Sequence, residues 1–202
     1  TRTPRTVNFF VSLFLISWDQ ERVNDGIWHW ADRLNPVPED CRLTLGEGGT
    51  PLVRSRRIGP AVGLPNLFFK LESSNPTGSY KDRFAAAAIS HMQAKGQAEC
   101  VATSSGNTGA SLAAACAAAA IPCRIAIVET APEGKMKQML AYGADIFRVR
   151  GFGIDPEVTV RTFHRLKELG QNPSRALQIS AFCFSPGGMN GVETIAFELE
   201  KE

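Results

Sequence analysis

Short apolar runs alternate with segments of helical periodicity from about residue 99 onward. The runs at 101–103, 124–128 and 146–149 have the length of buried strands. The stretches between them, 108–119 and 133–142, space their apolar residues as helices do. This alternation predicts an α/β fold with an open parallel sheet, right-handed crossovers and helices on both faces.

The pattern continues with a helix whose two ends are marked. Asp155 is a candidate N-cap, Pro156 stands at the first helical position, and Gly170 is placed just past the last turn. A further strand is predicted near 176–180. The sheet should bind ligands beyond the carboxyl ends of its strands, where the turn after Thr103 lies.

The segments before and after this α/β unit predict a second domain. Strands are expected at 50–54 and 67–72, and a helix at 81–95. The stretch 190–193 resembles a capping box that opens a last helix. The apolar residues of that helix are spaced for one buried face, namely Val192, Ile195, Ala196 and Leu199.

The chain therefore divides into two domains in this interpretation. Residues 27–95 and 182–202 belong to a larger domain, and 96–181 form a small inserted parallel α/β domain. Residues 1–26 are an N-terminal extension of unclear status. The apolar run at 7–16 is shorter than the roughly 20 residues that span a bilayer, so we interpret it as a buried element or a foreign segment, with an export signal as the alternative.

Composition excludes some classes of partner. With 22 basic and 20 acidic residues the formal net charge is +2, so we expect neither nucleic acid nor a membrane as partner. Five cysteines without a Cys-x-x-Cys pair indicate reduced, structural thiols in a cytoplasmic protein. We expect no metal, because the three histidines stand far apart and at no ligand spacing: His29, His91 and His164.

The segment 75–83, Asn-Pro-Thr-Gly-Ser-Tyr-Lys-Asp-Arg, carries the first candidate chemistry. Ser79 is a candidate N-cap with Asp82 three residues on, which places Lys81 in the first turn of a helix. The positive end of the helix dipole and the adjacent Arg83 should lower the pKa of this lysine, although Asp82 offsets part of the effect. Such an amine suits a Schiff-base nucleophile.

The second candidate segment is 103–109, Thr-Ser-Ser-Gly-Asn-Thr-Gly, a turn between a strand and a helix that begins near Asn107. Its glycines allow close backbone approach, and free N–H groups at a helix start bind anions. A nucleophilic lysine beside an anion-binding turn suits an aldehyde cofactor condensed with an amino acid. The chemistry suggested is that of pyridoxal phosphate.

Four segments, 45–52, 75–83, 104–111 and 138–144, stand in the order and approximate spacing found in threonine synthase. The chain resembles that family from about residue 27 to its end. Cysteine synthases and serine/threonine dehydratases share the lysine and the Ser-Gly-Asn-Thr-Gly loop, whereas the first two segments favour threonine synthase. The resemblance implies the two-domain pyridoxal-phosphate fold type II, similar to the tryptophan synthase β chain, with the larger domain binding the cofactor and a C-terminal half missing.

The resemblance also implies roles for individual residues. Lys81 would hold the cofactor and move protons at the α and β carbons of the substrate, and Asn107 would hydrogen-bond the 3′ hydroxyl of the cofactor. Other residues of the turn would hold the substrate carboxylate: Ser104, Ser105, Gly106 and Thr108. From the residues alone, each segment is also compatible with an ordinary capped turn.

The implied reaction converts O-phosphohomoserine and water to threonine and phosphate. In the family, an arginine near the last helix contacts the substrate phosphate, whereas the segment 182–189 contains none. A related β-replacing synthase, similar to cysteine or cysteate synthase, or a serine/threonine dehydratase is therefore an alternative. A non-catalytic fragment is another. The partner expected is a small amino-acid substrate, with a possible homodimer when full length.

Overall fold

The computed structural model describes residues 25–202. The apolar run at 7–16 and most of the predicted extension 1–26 lie outside the described residues. A four-stranded parallel sheet has the order β5-β4-β3-β6, and a separate antiparallel pair joins β1 and β2. The strands are β1 Leu52–Arg54, β2 Phe68–Lys70, β3 Glu99–Thr103, β4 Cys123–Ile127, β5 Asp145–Arg148 and β6 Arg175–Gln178.

Helices connect and cover these strands. The described residues include α1 Ile58–Ala61, α2 Lys81–Ala94, α3 Asn107–Ala118, α4 Glu133–Ala141, α5 Pro156–Gly170, α6 Pro186–Val192 and α7 Thr194–Lys201. Short 3-10 helices cover Gly26–Arg33, Glu39–Cys41 and Glu72–Ser74. The predicted alternation of strands and helices is confirmed, and no helix within 25–202 is long and apolar enough to cross a bilayer.

The order of the strands places the helices on two faces. The chain steps from β3 to β4 and from β4 to β5 through α3 and α4, and α5 then crosses from the edge strand β5 to the opposite edge, β6. Successive residues of a strand point to opposite faces. Accordingly Cys100 and Ile125 belong to the core under α3, whereas Val101 and Ala126 belong to a separate cluster with Leu166 of α5.

Asp155 caps α5 as predicted. One of its carboxylate oxygens accepts the N–H of Glu157 at 2.8 Å and that of Val158 at 3.2 Å, and Pro156 fills the first helical position. The prediction for Gly170 was off by one position, because this residue is the last of the helix and not the one after it. An added Cβ there would lie 2.8 Å from the Cβ of Leu177, so the glycine allows α5 to approach β6.

Helix α2 packs between α3 and α6. Its apolar residues, among them Phe84 and Ile89, share one core with residues of the parallel sheet. Two glycines of α6 allow close contact: a Cβ on Gly188 would lie 2.6 Å from the Phe84 ring, and one on Gly191 would lie 2.3 Å from the carbonyl oxygen of Arg83. The predicted domain boundary near residue 95 therefore crosses a continuous core, and the division into two domains stays a prediction.

A buried ion network joins α2 to the last helix. Arg83 is fully buried and donates to both carboxylate oxygens of Glu198 and to both of Glu72. Lys70 lies 2.9 Å from Glu198. Burial alone would raise the pKa of Glu198, but hydrogen bonds from Arg83 and Lys70 lower it to about 2. The network thus ties β2, α2 and α7 together through charges.

The buried face of α7 differs from the prediction. Thr194 and Glu198 are buried, whereas Ala196 and Leu199 are exposed and Val192 and Ile195 are half-buried. The predicted apolar face was wrong because Arg83 in α2 needs polar partners. It donates to the Thr194 hydroxyl at 2.9 Å as well as to Glu198. Asn190 does not open a helix as a capping box would, since α6 begins at Pro186.

Removing the charge of Glu198 should destabilise the fold. We expect Glu198→Gln to lower the free energy of unfolding by roughly 3 kcal/mol, because it leaves the buried Arg83 and Lys70 undercompensated. The matched control is Glu200→Gln in the same helix. Glu200 is 66% exposed and, within residues 25–202, pairs only with Arg33 at the surface, so its loss should cost at most about 1 kcal/mol. Urea unfolding measures both.

The pH dependence gives the same variant a second readout. The pKa of Glu198 in the folded chain, about 2, lies below its ordinary value of 4.5. The ion pair therefore stabilises the fold above about pH 4.5, and this contribution is lost as the pH falls towards 2. In Glu198→Gln, the free energy of unfolding should therefore fall less steeply as the pH is lowered. Equal unfolding free energies for the two glutamine variants would contradict the role assigned to the network.

Candidate active site

The amine of Lys81 lies at the carboxyl ends of two neighbouring strands. Its Nζ donates to the hydroxyl of Ser180 at 3.1 Å, just after β6. The Ser180 hydroxyl is in turn 2.9 Å from that of Thr108, in the first turn of α3 after β3. The structure thus brings together two residues singled out from the sequence, Lys81 and Thr108, through one that was not, Ser180.

Lys81 is the first residue of α2, and a hydrogen-bonded loop before it sets its position. Asp82 accepts the N–H of Thr77 at 2.8 Å and the hydroxyl of Thr77 at 2.6 Å. The Thr77 hydroxyl is also 3.0 Å from that of Ser111 in α3. The expected capping box was wrong: Ser79 is not the N-cap, because Tyr80 occupies that position and Asp82 turns to Thr77.

The start of the same loop is fixed to the glycine-rich segment 45–52. Asn75 accepts the N–H of Gly48 at 2.9 Å and donates to the carboxylate of Glu72 at 2.8 Å. Gly49 donates its N–H to Glu198 at 2.9 Å. Gly48 and Gly49 have φ values of +95° and +55°, which glycine adopts without strain. The segment therefore closes over the ion network and holds the loop that leads to Lys81.

The turn before α3 is held by Ser104. Its hydroxyl oxygen accepts the N–H of Gly106 at 3.2 Å and that of Gly109 at 3.0 Å. A Cβ on Gly109 would lie 2.7 Å from the sulfur of Met139 in α4, so this glycine permits close packing of the two helices. A Cβ on Gly106 would meet nothing within 4 Å. The backbone at Gly106 thus borders open space.

Asn107 begins α3 and is exposed. The N–H groups of Asn107 and Thr108 have no acceptor among residues 25–202, as is usual at the start of a helix. They carry the positive end of the helix dipole and can receive a carboxylate. The hydroxyl of Ser105 also has no partner in the described part of the chain.

Two residues of α4 reach the same region and were missed from the sequence. The amide of Gln138 donates to the carbonyl oxygen of Thr77 at 3.3 Å. The amine of Lys135 donates to the Gln138 side chain at 3.2 Å. Gln138 belongs to the segment 138–144 that carried the family resemblance, but neither its residue type nor its position in the sequence indicated this contact. Helix α4 is thereby coupled to the loop before Lys81.

These groups fit a flat aldehyde cofactor with an acidic substituent. The amine of Lys81 can condense with the aldehyde, and it lies 4.4 Å from the centre of the half-exposed Tyr80 ring. The start of α3, where Gly106 borders open space, is connected to that amine through Thr108 and Ser180. Donors for an anion stand at the start of α3. The donor set therefore matches pyridoxal phosphate joined to an amino acid.

The segment 182–189 serves helix packing. A Cβ on Gly187 would lie 2.6 Å from the His91 ring, and Gly188 lies against Phe84. Ser185 accepts the N–H of Ile179 at 3.0 Å. These contacts explain the small residues here in terms of packing between α6 and α2.

Three cysteines meet in the core although they are distant in sequence. The sulfur atoms of Cys100, Cys116 and Cys123 all lie within 4.8 Å of one another, and all three residues are buried. A hydrogen bond with Cys116, together with burial, raises the pKa of Cys100 well above its ordinary value. Sequence spacing could not reveal this cluster, because β3, α3 and β4 each supply one thiol.

Comparison with known proteins connects this geometry to a family. The family model described as "Pyridoxal-phosphate dependent enzyme" matches residues 43–202. The threonine synthase of Methanocaldococcus jannaschii is 31% identical over an alignment of 201 positions, which covers 93% of this chain and 47% of that protein. The threonine synthase of Mycobacterium leprae is 40% identical over 124 residues, 60% of this chain and 34% of the relative. The chain thus spans less than half the length of these relatives.

Solved structures agree. A pyridoxal 5'-phosphate-dependent aspartate racemase superposes with a TM-score of 0.61 at 30% identity, covering 75% of this chain and 45% of the racemase. Maize serine racemase gives a TM-score of 0.61 at 28% identity, with 75% and 44% covered. The parallel sheet with its flanking helices is that of fold type II. The chain belongs to the family of pyridoxal-phosphate dependent enzymes.

Proposed function

We propose that this chain is part of a lyase similar to threonine synthase, which converts O-phosphohomoserine and water to threonine and phosphate. The observation that carries the proposal is the contact of Lys81 with Ser180, and of Ser180 with Thr108. This contact supports the proposal, because it connects the amine of Lys81 through one hydroxyl to the first turn of α3. The threonine synthase relatives add support for the reaction.

In this proposal Lys81 holds the cofactor and moves protons at the α and β carbons of the substrate. Pyridoxal phosphate, when bound, supplies an electron sink for carbanion character at the α carbon. The Ser180 hydroxyl accepts a hydrogen bond from the lysine amine and so orients it. Asp82 keeps the first turn of α2 in place through Thr77.

The start of α3 is proposed to bind the substrate carboxylate and the cofactor ring. Asn107, exposed at the helix start, would hydrogen-bond the 3′ hydroxyl of the cofactor. The carboxylate would lie against the turn formed by Ser104, Ser105, Gly106 and Thr108. It would accept hydrogen bonds from the free N–H groups at the start of α3 and from the hydroxyl of Ser105. Ser104 already accepts two backbone hydrogen bonds, so its contribution is chiefly to shape the turn.

A second candidate is a related enzyme with the same cofactor, either a β-replacing synthase similar to cysteine or cysteate synthase or a serine/threonine dehydratase. The absence of arginine from 182–189 favours it, because a guanidinium is the usual bidentate partner of a substrate phosphate. We further propose that 96–181 form the small domain of a two-domain enzyme that acts on a small amino acid, with a homodimer as the assembly of the full-length protein.

The first test concerns the cofactor. Added pyridoxal phosphate should give the protein a visible absorption band that Lys81→Ala abolishes, because the amine that condenses with the aldehyde is gone. The rate of any amino-acid turnover should fall by about 10²- to 10⁴-fold. Lys137→Ala is the matched control, since its side chain is 79% exposed. The control should keep the band, whereas an unchanged band in Lys81→Ala would exclude Lys81 as the nucleophile.

The second test separates two adjacent serines. Ser104→Ala should lower the free energy of unfolding by about 1 kcal/mol, because two backbone N–H groups lose their acceptor. Ser105→Ala should leave stability within about 0.5 kcal/mol and weaken binding of the amino-acid substrate. Chemical unfolding and substrate titration measure the two effects. If Ser105→Ala unfolded more easily than Ser104→Ala, the roles proposed for the two serines would be wrong.

The third test identifies the reaction by its products. Incubation with O-phosphohomoserine should release inorganic phosphate and threonine in equal amounts, whereas serine or threonine should release little ammonia. A lyase of the proposed kind removes the phosphate group and retains the amine of its substrate. Release of ammonia and a keto acid from serine or threonine, without phosphate release, would instead support the dehydratase alternative.

A further inference from the structure

Within residues 25–202, the face of the parallel sheet opposite α3 is only partly covered. Helix α5 crosses this face and contacts β3 and β6, and Ala126 of β4 is buried in the same cluster as Leu166 of α5, so the open groove lies on the β5 side of the face. The groove encloses a cavity of about 610 Å³. It shares no lining residue with the site at Lys81, Ser180 and Thr108.

The floor of the groove is apolar. It is lined by Val101 of β3, Ala126 of β4, Phe147 of β5 and Val149, which directly follows β5. Phe147 is 54% exposed, although its neighbours on this face contribute to a packed cluster with Leu166. An aromatic ring left half in solvent at the bottom of a concave surface offers a flat contact for another apolar body.

The rim of the groove is basic. Four arginine residues line it, Arg124, Arg150, Arg161 and Arg165, and among residues 25–202 the one acidic residue of the lining is Glu99. Glu99 is neutralised by Arg124 and by Arg175 outside the groove, each at 2.7 Å.

The two arginines with free charge are Arg150 and Arg161, which form no ion pair with any residue from 25 to 202, whereas Arg165 pairs with Glu168 at 3.0 Å. The groove therefore has an excess of positive charge directly beside an apolar floor.

We propose that this groove binds a small organic anion with a flat apolar body, such as an aromatic carboxylate, sulfonate or phosphate ester. The cavity volume lies within the range of small-molecule sites, about 300–1,000 Å³. The floor around Phe147 receives the apolar body, and Arg150 and Arg161 receive the anion. A second copy of the chain is disfavoured on this face, because a symmetric contact would bring the two arginine clusters together.

Two probes that differ only by the anionic group test the proposal. Anilinonaphthalene sulfonate carries a sulfonate, whereas N-phenylnaphthylamine has the same aromatic body without it. Both become fluorescent in apolar surroundings, so titration of the folded chain gives both affinities. We expect the sulfonate to bind more tightly, and its affinity to fall as salt is added, because salt screens exposed charges.

Substitutions then locate the bound probe. Arg161→Gln should weaken sulfonate binding by roughly twofold to fivefold and leave the neutral probe unchanged. Phe147→Glu should weaken both by about tenfold or more, because it puts a charge on the apolar floor. The matched controls lie away from the groove: Arg57→Gln, an exposed arginine, and Val62→Glu, an exposed apolar residue. Neither control should change the affinity of either probe.

Several results would overturn the proposal. Equal affinities of wild type and Phe147→Glu would place the probe elsewhere. If Arg161→Gln kept a native circular dichroism spectrum but bound both probes equally more weakly, a contact between Arg161 and the sulfonate would be excluded. Self-association of the wild type that Phe147→Glu abolishes in sedimentation would identify the face as a protein interface instead. The site at Lys81 is not involved, so Lys81→Ala should bind both probes as the wild type does.

Discussion

The buried guanidinium of Arg83 is the interaction on which the arrangement of the candidate site depends. It is fully buried and donates to Glu72, Glu198 and Thr194. These partners come from segments far apart in the chain, so the charge fixes their positions relative to one another. A buried charge without such partners would cost several kcal/mol. The packing of α2 against α7 is therefore strongly constrained to one arrangement.

Helix α2 combines this anchor with the candidate nucleophile. Lys81 and Arg83 are two residues apart in the first turn of the helix, so their side chains point in different directions. Arg83 points into the network, and the amine of Lys81 points to Ser180 at the strand ends. Asn75, which links Glu72 to Gly48, joins the network to the loop that leads to Lys81. The network therefore also fixes the position of the Lys81 amine.

Much of the fold could be predicted because its signals are local. The period of apolar residues located the parallel strands, and Asp155 with Pro156 marked the start of α5. The buried face of α7 could not be predicted, because polar residues such as Thr194 and Glu198 normally face solvent. Their burial is explained by the contacts with Arg83, which is distant in sequence. The contacts of Ser180 and the meeting of three cysteines were missed for the same reason. Each depends on segments that are distant in sequence.

One topological constraint produces both the candidate site and the groove. Parallel strands place their carboxyl ends at one edge, where the turns after β3 and β6 face the amine of Lys81. To reach β6, the chain must leave β5 at one side of the sheet and return at the other, which requires α5 to cross a whole face. A single helix is about 10 Å wide, whereas four strands span roughly 14 Å between their axes. Part of that face must therefore remain uncovered by α5, and the groove at Phe147 lies there.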